Sequence, residues 1–167
     1  DPYGLASEWG QRVAKAALKF EGSAAWHIDA WKRWYPPASN KCNVFVADAI
    51  REAGAMVPTN RWIGPSFLNI LRGEILAGEW GDPNYPIYGW PVVEEPQPGD
   101  VIAIAAESEG GASGHVGIVV CRDGKLQAAS ATASKVVVND WGFREGQKPV
   151  FRRFNGEGIY PANLSYY

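Results

Sequence analysis

The stretch GHVGIVVCRDGKLQAAS, residues 114–130, decides the fold. After Gly114 and His115 the stretch continues as Val, Gly, Ile, Val and Val, which is typical of a buried strand. The Arg122-Asp123-Gly124 sequence then predicts a turn with a hairpin signal, and residues 125–130 return as a second strand. The stretch therefore indicates an antiparallel sheet in the second half of the chain.

The rest of the chain divides into helices first and strands afterwards. Helical spacing of apolar residues predicts three helices, over residues 7–22, 42–53 and 65–72. Further strands are predicted over residues 100–105, 135–139 and 150–154. This order is typical of an α+β fold. We expect N-terminal helices packed on a central antiparallel sheet of about five to six strands, within one domain spanning residues 1–167.

Composition excludes several classes of protein. The chain has 167 residues and a formal net charge of −2, which argues against a nucleic-acid binder that neutralises phosphates. It has no apolar run near the roughly 20 residues of a transmembrane helix. Two cysteines give no disulfide framework, and we find no metal-ligand or phosphate-loop motif, so we expect no metal and no cofactor. Because the sequence starts at Asp1, we expect a processed or trimmed chain.

Aromatic residues are more frequent than a core of this size needs, with eight Trp among them. Several occur in the Gly- and Pro-rich segment 73–99, and long irregular segments in small domains are often functional. We therefore expect a substrate groove lined by Trp80, Tyr85, Tyr88, Trp90, Ser113 and Gly114.

Cys42 and His115 are the candidates for chemistry. Cys42 falls in the first turn of a predicted helix, where backbone N–H groups and the helix dipole are expected to lower the pKa of a thiol. The N–H of Cys42 is also a candidate oxyanion donor. His115 begins a strand, where its ring can face a cleft. Lys41 either favours the thiolate or is simply solvated.

Three blocks of sequence resemble the NlpC superfamily of cell-wall cysteine peptidases, a papain-like group that includes the CHAP amidases. They are Asn40-Lys41-Cys42-Asn43-Val44-Phe45-Val46, then Pro98-Gly99-Asp100-Val101-Ile102, then Gly114-His115-Val116-Gly117-Ile118-Val119. The blocks occur in the order found in that group and span about residues 38–131.

The resemblance implies roles for individual residues. Cys42 attacks a peptide or amide carbonyl, and His115 acts as the base. A third polar residue usually orients the histidine, and Gln127 stands near the expected place. Ser130, Asn139 and Asp140 compete with Gln127 for that role. The tyrosine often found near the oxyanion has no obvious counterpart, since Tyr35 precedes Cys42 by only seven residues.

The resemblance also implies a function: a peptidoglycan hydrolase, either an amidase or an endopeptidase, that acts on stem peptides. Some small members of the group are antibacterial toxins, which are secreted or delivered to the bacterial periplasm and inhibited by a cognate immunity protein. Two alternatives remain open on the same fold, a non-catalytic module that binds peptidoglycan or a partner and a Cys/His acyltransferase.

Overall fold

Six strands form one antiparallel sheet in the computed structural model, which describes residues 8–59, 73–106 and 113–156. The helices are α1 (Glu8–Lys19), α2 (Cys42–Glu52) and α3 (Ala77–Gly81), and the strands are β1 (Val92–Val93), β2 (Val101–Ala105), β3 (Gly114–Arg122), β4 (Lys125–Ala131), β5 (Val136–Asn139) and β6 (Val150–Arg152). The α+β class and the central antiparallel sheet predicted from the sequence are confirmed. The helix predicted over residues 65–72 lies outside the described residues.

The sheet combines a meander with a returning strand. Its order is β1-β6-β2-β3-β4-β5, so β2 to β5 are neighbours in sequence and in space. The last strand, β6, returns to the free side of β2, and the short β1 pairs beyond it. This return places β2 and β3 in the interior of the sheet.

Helix α2 is the central helix of the fold. Eight of its eleven residues are buried, from Cys42 to Ile50. It packs on β3, and α1 covers it from the side with the small buried residues Ala14, Ala16 and Ala17. The helix is followed by Gly54, whose φ of +82° is a conformation in which glycine ends helices at little cost. α1 is shorter than predicted because the chain turns after Lys19.

The two faces of the sheet are covered differently. Val116, Ile118 and Val120 of β3 belong to the main core, together with residues of α1 and α2. Val119 belongs to a second, smaller cluster with Ile102 and Ala128, which Trp141, Phe143, Phe151 and Leu126 cover. Alternate residues of one strand therefore serve opposite faces, as the pleat requires.

The segment 73–99 is organised by one buried side chain. Arg152 is 2% exposed, and its guanidinium donates hydrogen bonds to the carbonyl oxygens of Trp80, Asp82, Tyr85 and Trp90, over 2.6–3.2 Å. The sequence predicted an irregular segment here, whereas the structure also forms α3 and β1 within it.

Candidate active site

Cys42 is the first residue of α2 and lies at a cavity of about 480 Å3. The lining residues come from the segment before α2, from α2 itself, from the start of α3 and from the start of β3. They are Tyr35, Ala38, Ser39, Asn40, Cys42, Asn43, Leu76, Ala77, Ser113 and Gly114. None of these described residues is an Asp, Glu, Lys or Arg, so the cavity wall is neutral apart from groups that ionise at high pH.

The environment of the Cys42 thiol differs from the one predicted. Cys42 is only 5% exposed, and burial raises the pKa of its thiol above the ordinary value. The backbone N–H groups of Val116, Asn43 and Cys42 act in the opposite direction, because they stabilise a thiolate. The predicted lowering of the pKa by the helix terminus is therefore present as a contribution, but burial outweighs it.

Lys41 supports the cavity wall and is not solvated. It is 2% exposed, and its ammonium group donates hydrogen bonds to the carbonyl oxygens of Ile28, Pro36 and Ser39, at 2.9, 3.2 and 2.8 Å. These bonds hold the segment before α2 against the start of the helix. The prediction that Lys41 is a solvated side chain is wrong.

Tyr35 is a cavity residue that sequence reasoning passed over. Asn43, the residue after Cys42, donates a hydrogen bond from Nδ2 to the Tyr35 hydroxyl at 3.0 Å. Burial is the main cause of the raised pKa of Tyr35, which keeps the phenol protonated. The seven-residue spacing between Tyr35 and Cys42 did not predict that both lie at one cavity. The chain turns sharply between them, with Ala38 at a φ of +63°.

His115 is held by two contacts. Its Nε2 lies 3.0 Å from Ser130 Oγ on β4, and its ring meets Trp141 edge to face with centroids 4.5 Å apart. Burial lowers the pKa of the imidazole, so the neutral ring is favoured. The contact with Trp141 was not predicted, since a residue beyond β5 carries no local signal of its position.

Ser130, one of the alternatives to Gln127, is the polar residue that lies beside the His115 ring. Gln127 pairs with Val120, five residues beyond His115 and about 16 Å further along β3. Its Oε1 is buried without a hydrogen-bond partner, so the expectation that it orients His115 is wrong. Asn139 accepts from the N–H of Trp141, and Asp140 accepts from Arg144, whereas the ring of His115 is bonded to Ser130.

Cys42 contacts the backbone at the start of β3, beside His115 in sequence. Gly114 lines the cavity, the N–H of Val116 lies beside the Cys42 sulfur, and His115 stands between these two residues. No hydrogen bond joins the thiol to the ring among the residues that the structure describes. Catalytic hydrogen bonds are often long before substrate binds, so this separation is compatible with a working pair.

The predicted aromatic groove is not at this cavity. Trp80 and Trp90 are 2% and 0% exposed and pack edge to face in the core, so their prediction as substrate-binding residues is wrong. Tyr85 and Tyr88 line a separate depression that contains Pro83 and Pro86. Ser113 and Gly114 line the cavity beside Cys42, and their role in substrate binding stays a prediction.

The structure describes residues 8–59, 73–106 and 113–156. They contain no cluster of three or more His, Cys, Asp or Glu side chains able to hold a metal ion. They also contain no helix with the length and apolar character of a membrane span.

The helix that begins at Cys42 packs on an antiparallel sheet, and His115 is the second residue of β3; this arrangement is that of a papain-like fold. The model of the CHAP domain family matches residues 31–132, and the chain belongs to this family. CHAP domains are typically amidases or peptidases, which makes a hydrolase the function indicated at that level. Comparisons with curated proteins and with solved structures gave no significant match.

Proposed function

We propose that this protein cleaves a peptide or amide bond of bacterial peptidoglycan, with Cys42 as the nucleophile and His115 as the base. The observation that carries the proposal is the position of Cys42, at the first turn of α2 and on the wall of a cavity, in a chain of the CHAP family. Peptidoglycan is the substrate that membership of this family suggests.

The proposed reaction begins when the Cys42 sulfur attacks the carbonyl carbon and its proton passes to the His115 ring. The carbonyl oxygen takes the negative charge, and N–H groups at the start of α2 are available to stabilise it. Lys41 is the residue before the helix and provides no side-chain cap, so no capping side chain occupies these groups. The imidazolium then protonates the leaving nitrogen, and water hydrolyses the thioester.

The neutral cavity favours a substrate that is bound through its backbone. Asn43 and Ser113 provide amide and hydroxyl groups, and Leu76 and Ala77 provide apolar surface. Peptide stems offer N–H and C=O groups that match such a wall. Trp31 and Trp34 are exposed, at 70% and 64%, in the segment that leads to Tyr35, and we propose that they contact the polymer.

The proposed substrate determines the compartment in which the protein would act. Peptidoglycan lies outside the inner membrane, so we propose that the protein acts in the bacterial periplasm, as a secreted or delivered antibacterial toxin. A toxin of this kind needs a cognate inhibitor in the producing cell, and the cavity at Cys42 is the surface that such a protein would block. Export of this protein to the periplasm is expected to lyse cells, whereas export of Cys42→Ala is not.

The substrate is tested by digesting purified peptidoglycan and identifying the products by mass spectrometry. The native protein and Cys121→Ala are expected to release the same fragments, since Cys121 lies on β3 away from the cavity. Cys42→Ala is expected to release none. Fragments from all three proteins, or from none of them, would contradict the proposal.

A further inference from the structure

Trp31 and Trp34 belong to a short turn whose polarity is the reverse of the usual one. Lys32 and Tyr35 exchange backbone hydrogen bonds in both directions, at 3.1 and 3.0 Å, so Arg33 and Trp34 form the tip of the turn. Charged side chains on a protein surface ordinarily face water, and large aromatic ones pack inward. Here Trp31 and Trp34 are 70% and 64% exposed, whereas the side chains of Lys32 and Arg33 are 29% and 26% exposed.

The two cations of the turn are held inward by specific partners. The Lys32 ammonium lies 4.6 Å from the centroid of the Trp26 ring and 3.6 Å from a carboxylate oxygen of Asp48. The Arg33 guanidinium forms ion pairs with both Asp48 and Glu74, whose side chains are 13% and 8% exposed. Turning Arg33 outward would leave the buried Glu74 carboxylate without this partner, which is costly. The ion pairs therefore maintain the inverted polarity of the turn.

The turn is fixed at its base and lies beside the cavity. The Lys41 ammonium donates hydrogen bonds to the carbonyl oxygens of Ile28, before the turn, and Pro36, after it, at 2.9 and 3.2 Å. Tyr35, the last residue of the turn, lines the cavity that contains Cys42. The exposed rings thus stand on a fixed segment at one rim of the cavity. A surface fixed in this way loses little conformational freedom when a ligand binds.

The inverted turn fits a ligand that has apolar faces and no charge. A phosphate or carboxylate group would be bound by outward-facing Lys32 and Arg33, but these cations are paired with carboxylates of the protein. A pyranose sugar has C–H groups on its faces and hydroxyl groups around its edge. An indole ring combines an apolar face with one N–H donor, so it can stack on the sugar and bond a hydroxyl. N-acetylated sugars, which form the glycan strand of peptidoglycan, carry no charge.

We infer that Trp31 and Trp34 form a sugar-binding site that stacks on the glycan strand, while the stem peptide enters the cavity at Cys42. The inference rests on the proposed function and deepens it, because it assigns the contact with the polymer to the sugars and not to the peptide. The rings lie outside the cavity wall, so they contribute to binding and not to the chemistry at Cys42. Their loss is therefore expected to raise KM and to leave kcat unchanged.

Binding is tested with glycan strands from which the stem peptides have been removed, immobilised on a surface and probed with the protein. The double variant Trp31→Ala/Trp34→Ala is expected to bind about tenfold more weakly than the native protein. Trp31→Phe/Trp34→Phe keeps two aromatic faces and is expected to retain most of the affinity. Both variants change exposed side chains, and urea unfolding is expected to show the native midpoint. No binding of glycan by the native protein, or equal binding by the alanine variant, would overturn the inference and leave the rings as a contact for a partner protein.

Digestion of soluble peptidoglycan fragments separates this inference from the proposed function. The alanine variant is expected to show a KM raised by about tenfold and the kcat of the native protein, and the phenylalanine variant a KM close to the native one. A fall in kcat at unchanged KM, or native kinetics in the alanine variant, would overturn the sugar-binding role. Binding of stem-free glycan requires no cleavage. Failure of the native protein to digest peptidoglycan would therefore count against the proposed function alone.

Discussion

The Nε2 atom of His115 lies 3.0 Å from the Oγ atom of Ser130, on the neighbouring strand β4. The two residues are fifteen positions apart in sequence, and the hairpin of β3 and β4 brings them together. Gly117, on β3 with His115, allows β4 to come this close, since a Cβ there would lie 2.5 Å from the Ala129 carbonyl oxygen and 3.0 Å from the Ser130 Cβ. The hairpin thus both builds the sheet and orients the histidine.

Gly114 is required directly before His115. Its φ is +143°, and a Cβ there would lie 2.3 Å from the Ile104 carbonyl oxygen. We expect Gly114→Ala to lower the free energy of unfolding by about 2–4 kcal/mol and to displace His115. Urea unfolding and peptidoglycan digestion measure the two effects.

Gly124→Ala is the matched control for that substitution. Gly124 also has a positive φ, of +73°, but a Cβ there meets nothing within 4 Å. This variant is expected to lose about 1 kcal/mol and to keep its activity. Equal losses of stability in the two alanine variants would show that the contact with Ile104 has no effect.

Lys41 stabilises the wall of the cavity through its buried ammonium group. Lys41→Met keeps the length of the side chain but leaves the carbonyl oxygens of Ile28 and Ser39 without this donor. The expected loss in the free energy of unfolding is about 2–4 kcal/mol, because bonds to a charged donor are lost inside the protein. The exposed Lys15→Met on α1 should change stability by less than about 0.5 kcal/mol. Equal effects of the two variants would contradict the role of Lys41.

His115 is expected to make stability depend on pH. Its folded pKa is lowered by burial, so the unfolded chain binds a proton more readily than the folded protein does. Stability is therefore lost as the pH falls below about 6.5, the ordinary value for histidine. His115→Asn should reduce the loss measured by urea unfolding between pH 7 and pH 5. His27→Asn, at a half-exposed surface position, should retain the full loss, and the reverse pattern would contradict the account.

Arg152 is expected to be essential for the order of the segment 80–90. Arg152→Met removes the four hydrogen bonds to backbone carbonyl oxygens of that segment. We expect the free energy of unfolding to fall by about 3–5 kcal/mol and hydrogen exchange in α3 to accelerate. Arg144→Met, which removes one exposed ion pair with Asp140, is the control and should leave exchange in α3 unchanged.

Local pattern was sufficient for most of the sheet and for the position of Cys42. The apolar run after His115 and the turn at residues 122–124 predict β3 and β4 to within one residue of their ends. The first turn of α2 was found for the same reason, since the apolar spacing marks the helix. These features depend on neighbours in sequence.

The errors concern contacts between distant segments. Gln127 was chosen by counting along a hairpin, but the register pairs it with Val120 and leaves Ser130 next to the ring. Trp80 and Trp90 were expected at the surface, and composition cannot show that Arg152, more than sixty residues away, anchors their backbone in the core. The pKa of Cys42 was misjudged because the sequence shows the helix start but not the depth of burial.

The central claim, that Cys42 is the nucleophile, is tested most directly by trapping its thioester. The protein is mixed with soluble peptidoglycan fragments, quenched in acid within seconds and mapped by mass spectrometry. The account predicts an acyl group on Cys42 and none on Cys121, in a protein that releases products. Product release by Cys42→Ala at the rate of the native protein would contradict it.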